Sequence, residues 1–233
     1  MRNYLIFNGI DSRDFGVYIS GNHTFDAPTR EYENISVPGR DGDLLGVTSR
    51  LANIELIYPA FSYTPEHLRD FRSKLLSVIG YAQLYDSYHS DEFRKAVYKG
   101  GLTVEMMANL KAGSFDLIFE CKPQRYLTAG QILTPVVTGQ NITNPTDFDA
   151  QPLIRVTGSG TLVIGSQTIT VASNSHAYID IDCEMMDCFY GATNCNSLVS
   201  FSGNDFPVLK PGNNGLTISG LTNVKIKPNT WRV

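Results

Sequence analysis

Three of the four cysteines, Cys183, Cys188 and Cys195, fall close together, with His176 the nearest histidine. Thiolates and an imidazole are zinc-ligand chemistry. Zinc sites, however, favour close pairs such as C-x-x-C with a matching second pair. Here four and six residues intervene, a weak match. In a cytosolic chain of this size these three and Cys121 read as free thiols. A second group, Asp86, His89 and Asp91, offers carboxylates beside an imidazole, which can bind metal or move protons. All three sit in one short polar run, Asp86-Ser87-Tyr88-His89-Ser90-Asp91, and no second ligand cluster accompanies them. The turn-residue rules make this a solvated turn. His23, His67, His89 and His176 are scattered over the chain. There is no G-x-S-x-G elbow, H-E-x-x-H, phosphate loop or dinucleotide fingerprint. The expectation is a non-enzymatic protein with no catalytic residue, metal or cofactor.

The densest backbone chemistry lies in Val37-Pro38-Gly39-Arg40-Asp41-Gly42. Pro38 fixes its own φ and pushes Val37 toward an extended conformation. Gly39 and Gly42 accept positive φ without a Cβ clash. Between them Arg40 and Asp41 can pair locally or reach a neighbour. Turn rules alone make this a tight turn between strands; a shaped protrusion that docks on another subunit is the alternative.

The elements around these residues are mostly strands. The chain has 233 residues, enough for one large or two ordinary domains. It is 42% hydrophobic and 18% charged, the latter below the usual quarter. A net charge of −4 gives no overall basic field for nucleic acid or an anionic membrane. No apolar run approaches the ~20 residues of a membrane span. The N-terminal run Tyr4-Leu5-Ile6-Phe7 is too short for a signal-peptide core and reads as a first strand ended by Asn8-Gly9. Residues 15–19 read as a second strand, and residues 22–34 as an exposed connection. In residues 50–61, Ile54, Leu56 and Tyr58 alternate with Glu55 and Ile57, a long strand pattern.

One helix is expected, over residues 64–80. Thr64 suits the N-cap, Pro65 the first turn, and Gly80 the C-terminal stop. Leu68, Phe71, Leu75 and Val78, with Ile79, form its apolar stripe. Strands resume at 81–85 and 93–98. Residues 102–106 and 115–121 then flank Lys111-Ala112-Gly113 as a hairpin, with Phe115, Leu117, Phe119 and Cys121 on one face. Pro123 is expected to end that strand.

From Thr128 Lys and Arg thin out, which places a domain boundary near residues 126–130. The assignment is residues 1–130 for the first domain and 131–233 for the second. Short strands follow at 136–137, 153–156, 161–164, 168–171, 178–182, 207–209, 216–218 and 224–227. Asn144-Pro145-Thr146 and residues 210–215 read as turns. No helical period appears, so this half reads as a β-sandwich of jelly-roll type. The single Trp231 reads as a cap on its core. The fold class is mainly β, with one helix in the N-terminal domain.

Several of these pieces occur in the order found in one family. They are Phe7-Asn8-Gly9 with Asp14-Phe15-Gly16, the Val37–Gly42 motif, and Leu84-Tyr85-Asp86-Ser87-Tyr88 with Arg94 and Ala96. Phe119-Glu120-Cys121-Lys122-Pro123 with Tyr126 follow. Asn144-Pro145-Thr146, Gln151-Pro152-Leu153-Ile154, Gly158-Ser159-Gly160, Leu209-Lys210-Pro211-Gly212-Asn213-Asn214 and Trp231-Arg232 complete the series. Over nearly its whole length the chain resembles the distal tail (Dit) proteins of siphophages. The resemblance implies an N-terminal domain that assembles into a homohexameric ring and a C-terminal galectin-like β-sandwich outside it. It implies a hub in the virion, at the distal end of a phage tail, made in the host cytoplasm. The implied partners are further copies of the chain, the major tail-tube protein, the tail-associated tip protein and peripheral receptor-binding proteins. DNA would cross the lumen without specific binding, which an acidic protein suits, and no membrane is involved. Under this reading Pro38, Gly39, Arg40, Asp41 and Gly42 become a candidate subunit-contact loop. The alternative function is carbohydrate binding by the galectin-like domain. His176 and the terminal Trp231 do not reproduce the strand-borne sugar-binding set of galectins, and fold analogy alone does not license that activity.

Overall fold

The computed structural model describes residues 2–21, 27–101, 105–106, 113–203 and 205–233. His23, most of the expected strand at 102–106 and the Lys111-Ala112 turn lie outside them. The chain divides into two compact units, Met1–Arg125 and Tyr126–Arg232.

The first unit begins with β1 (Leu5–Phe7) and β2 (Ile10–Asp11), followed by a 3-10 turn at Ser12–Phe15 and β3 (Val17–Ile19). Asn8 and Gly9 both take positive φ, the geometry of a two-residue hairpin turn, and Phe7 pairs with Ile10. Next come β4 (Arg30–Ile35), β5 (Leu44–Leu51), β6 (Ile54–Ser62) and helix α1 (Pro65–Ser77). Strands β7 (Ala82–Asp86), β8 (Glu92–Tyr98), β9 (Glu105–Met106) and β10 (Gly113–Leu127), whose last two residues fall in the second unit, complete it. One sheet runs β2-β1-β7-β8-β10-β6-β3, with β9 beside β10. Its ends meet: Asn3, just before β1, bridges Ile19 of β3. The sheet therefore curls round its own core.

That core follows from period-2 alternation. Ile54, Leu56, Tyr58 and Ala60 of β6 face inward, as do Phe115, Leu117, Phe119 and Cys121 of β10. The helix adds Leu68, Phe71 and Leu75. It is shorter than the sequence suggests. Thr64 makes no capping bond; its hydroxyl donates to the Phe15 carbonyl at 3.3 Å instead. The helix stops at Ser77, Val78 is extended, and Ile79 is 97% exposed, so Ile79 does not belong to the buried stripe. Nor does Pro123 end its strand: β10 runs through it to Leu127. Residues 30–34, expected as part of a connection, belong to strand β4, which runs on to Ile35.

The second unit contains β11 (Thr134–Val136), β12 (Asn141–Asn144), β13 (Leu153–Thr157), β14 (Gly160–Ile164) and β15 (Gln167–Val171). Then come β16 (Ile179–Asp182), β17 (Asp187–Tyr190), β18 (Thr193–Asn194), β19 (Val199–Phe201), β20 (Gly212–Ser219), β21 (Asn223–Lys227) and β22 (Trp231–Arg232). Two sheets, β11-β21-β13-β16-β17-β18 and β12-β20-β14-β15-β19, enclose one core. Ile154, Val156, Ile181 and Ile226 enter it from the first sheet, and Leu162, Ile164, Ile169 and Leu216 from the second. This is a β-sandwich, as the strand spacing predicts. The expected turn at 210–215 is largely the start of β20, where Gly212 and Asn213 pair with Asn144 and Thr143. Of residues 207–209, only Leu209 makes a β-bridge, to Ala150.

Candidate interaction site

Strands β4 and β5 form a two-stranded sheet of their own. Ile35 pairs with Leu44 and Asn34 with Leu45. Successive residues of a strand point to opposite faces, so Tyr32, Asn34 and Leu45 share one face, and Ile35 and Leu44 the other. Among the described residues neither face is covered: every residue of β4 is exposed, with Tyr32 at 52% and Leu45 at 56%. An isolated hairpin is marginal in water. One that shows apolar side chains on both faces is a surface shaped for a partner.

The candidate loop forms its tip. Arg40 N–H donates to the Val37 carbonyl at 3.2 Å, closing a turn with Pro38 and Gly39 at its centre. Gly39 has φ +81°, the value a type II turn requires after proline. Gly42 follows at +78°. The five residues Pro38, Gly39, Arg40, Asp41 and Gly42 are all exposed. No ion pair joins Arg40 and Asp41 among the described residues, so both charges point outward and are available to a neighbour. The sequence brings these residues together by chain proximity; the structure adds that they cap an uncovered apolar stem.

Asp86 and His89 correct the solvated-turn expectation, because both side chains are largely enclosed. The Tyr58 hydroxyl donates to Asp86 Oδ2 at 2.9 Å. The backbone N–H groups of Tyr88 and His89 donate to Oδ1 at 3.0 and 2.9 Å, and His89 Nδ1 lies 3.1 Å from it. Burial, then the Asp86 charge, push the Tyr58 hydroxyl well above its ordinary range. Beside them Arg94 Nη1 donates to the Pro123 carbonyl at 2.8 Å, and Arg125 lies 3.6 Å from Glu92. Burial, then the Arg125 charge, lower the Arg94 pKa. The cavity they surround has a volume of about 10 Å³, close to one water. A carboxylate already holding three donors, with the His89 ring nitrogen beside it, is an anchor for the turn between β7 and β8.

In the second unit His176 packs on Tyr190, ring centres 5.1 Å apart. Trp231 stacks on Phe148 at 4.5 Å and donates Nε1–H to the Asp149 carbonyl. Each has its own packing partner. Among the described residues no group of three or more His, Cys, Asp or Glu is placed to hold a metal ion, and no helix is long and apolar enough to cross a membrane.

No protein-family model and no curated protein sequence matches the chain. Solved structures do. The SPP1 Dit (gp 19.1) protein, described as a paradigm of the hub adsorption apparatus in phages infecting Gram-positive hosts, superposes with a TM-score of 0.73 at 17% identity. The match covers 97% of this chain and 98% of that one. A chain of the phage p2 baseplate, in its activated conformation with Sr, matches with a TM-score of 0.54 at 10% identity, covering 97% of each chain. Over nearly its entire length the chain therefore has the fold of the SPP1 Dit protein.

Proposed function

We propose that the chain is a structural, non-enzymatic protein of a bacteriophage tail tip. In this reading it forms a hexameric ring that joins the tail tube to the tip or baseplate and lets DNA pass during ejection. The uncovered β4–β5 hairpin carries the proposal. A closed ring needs a heterologous contact, in which one surface of a subunit meets a different surface of the next. The first unit offers two unlike surfaces. One is the hairpin with its Pro38–Gly42 tip. The other is the outer face of β6 and β10, where Ile57 is exposed and Pro59, Ser114, Asp116 and Ile118 line a groove of about 400 Å³. The hairpin of one copy on this face of the next would cover both. The first unit then supplies the ring and the second, a galectin-like sandwich, its periphery. The fold shared with a hub adsorption protein and a baseplate chain supports the same placement.

The test is light scattering of the purified full-length chain over a range of concentrations, alone and with tail-tube protein, with negative-stain images of large species. Hexameric rings are expected for the wild type, and monomers of unchanged thermal stability for a Tyr32→Glu/Leu45→Glu double variant. A wild-type chain that stays monomeric in both settings, or a variant that assembles normally, overturns the reading.

A further inference from the structure

The second unit's three cysteines are not equivalent. In the hairpin of β17 and β18, Tyr190 pairs with Thr193 and Phe189 with Asn194. Cys195 is the first residue past β18, where a 3-10 turn begins; one further step of the register sets it opposite Cys188, and its N–H donates to the Cys188 carbonyl at 2.7 Å. Both side chains are buried in the same core cluster, so they share a face. Directly opposed residues of antiparallel strands have Cα atoms about 4.5–5.5 Å apart. A disulfide needs about 4.4–6.8 Å. Cys183 is placed differently: Cys188 pairs with Ile181, and Cys183 lies past the end of β16, its N–H held by the Pro152 carbonyl. It is diagonal to Cys188, a position about 7–8 Å away. Cys121 belongs to the core of the first unit.

We propose that Cys188 and Cys195 are a latent cross-strand disulfide, reduced when the chain is made and closed when it meets an oxidising medium. The two thiols lose two protons and two electrons as the S–S bond forms. A low-molecular-weight disulfide such as oxidised glutathione accepts them. One cysteine thiolate attacks it, releasing one thiol and leaving a mixed disulfide; the second cysteine then displaces the other. The rate is set by opening, since both side chains are buried. Opening is local: β18 has two residues, forms the edge of its sheet, and follows the exposed Gly191-Ala192 turn. Short edge elements are where native proteins open at least cost. Closure pins this edge without altering its register. The inference stands independently of the tail-tip proposal.

The experiment incubates the native full-length chain with excess oxidised glutathione at mildly alkaline pH. It follows intact mass, free-thiol count and a peptide map without reduction. Expected is the loss of two hydrogen atoms, two thiols remaining of four, and a Cys188–Cys195 linkage. Cys183→Ser keeps the bridge, whereas Cys188→Ser and Cys195→Ser abolish it. Four thiols persisting after exhaustive incubation, or a bridge to Cys183, overturns the proposal. If the serine variants fail to fold, the wild-type map alone decides.

Discussion

The Tyr58 hydroxyl on β6 reaches the Asp86 carboxylate at the end of β7, 2.9 Å away, although β8 and β10 lie between those strands in the sheet. Three strand spacings in a flat sheet would separate them by roughly 14 Å. The contact therefore reports how tightly the sheet curls. The Asn3–Ile19 bridge records the same curvature at the edges. Both rings of the Tyr58–Tyr88 stack lie on this inner side, with centres 6.4 Å apart.

Tyr58→Phe removes a donor to an enclosed carboxylate while leaving the ring in place. Hydrogen bonds to charged groups are worth about 1.5–3 kcal/mol, and this is the loss expected in urea denaturation of the full chain. Asp86→Ala should cost at least as much, because it releases the Tyr58 hydroxyl and the Tyr88 and His89 amides together. Equal stability of Tyr58→Phe and wild type would mean that the curvature does not depend on this bond.

Two glycines of the second unit, Gly160 at the start of β14 and Gly165 in the turn that follows it, separate backbone strain from collision. Gly160 has φ +151°, and an added Cβ would overlap the Ser219 carbonyl oxygen across the β14–β20 pairing. Gly165 has φ +58° with nothing within 4 Å of such a Cβ. Gly165→Ala should cost about 1 kcal/mol, the left-handed penalty alone. Gly160→Ala should cost about 4 kcal/mol or more, since backbone must move as well. Comparable midpoints in chemical denaturation would refute the collision argument.

Much of this architecture was legible because burial on one face writes alternation into the sequence. Ile54, Leu56 and Tyr58 announced β6, and Phe115, Leu117, Phe119 and Cys121 announced β10. The Asn144-Pro145-Thr146 turn was also readable, and the Asn144 Oδ1 atom indeed accepts from the Thr146 amide and hydroxyl. β4 was not readable, since a strand exposed on both faces has no pattern to show. The Pro38–Gly42 tip could be read as a turn, but its uncovered stem required the structure. Asp86 looked solvated because polar turn composition does not reveal that a distant tyrosine covers it. The Cys188–Cys195 opposition was hidden by a six-residue spacing that means nothing until the β17–β18 register is known.

Buried thiols should make the fold labile in alkali. Burial pushes Cys121 and Cys188 up to about 12 from an ordinary value of 9.0, and Cys183 is raised for the same first cause. Above pH 9.0 the unfolded chain gives up protons that the native chain keeps. Stability is therefore whole below that value and declines as pH climbs toward 12. Thermal unfolding followed by circular dichroism, in reductant and at stepped pH, should show midpoints falling through this window. A flat profile between pH 9 and 11 would contradict the burial of these groups.

The hairpin tip tests shape and charge separately. Gly39→Ala places a Cβ at φ +81° with open space around it, so its penalty is conformational, about 1 kcal/mol, and confined to the turn. Arg40→Asp leaves the turn backbone alone and reverses an outward-facing charge. An exposed substitution of that kind shifts folding stability by about 0.5 kcal/mol or less. If the tip meets a neighbouring subunit, both variants should assemble less well than wild type in sedimentation velocity. Arg40→Asp should lose assembly without losing thermal stability, and its defect should change with ionic strength as a charge contact requires. Assembly equal to wild type in Arg40→Asp, at low and high salt alike, would remove Arg40 from the interface and leave the apolar stem, Tyr32 and Leu45, to form it.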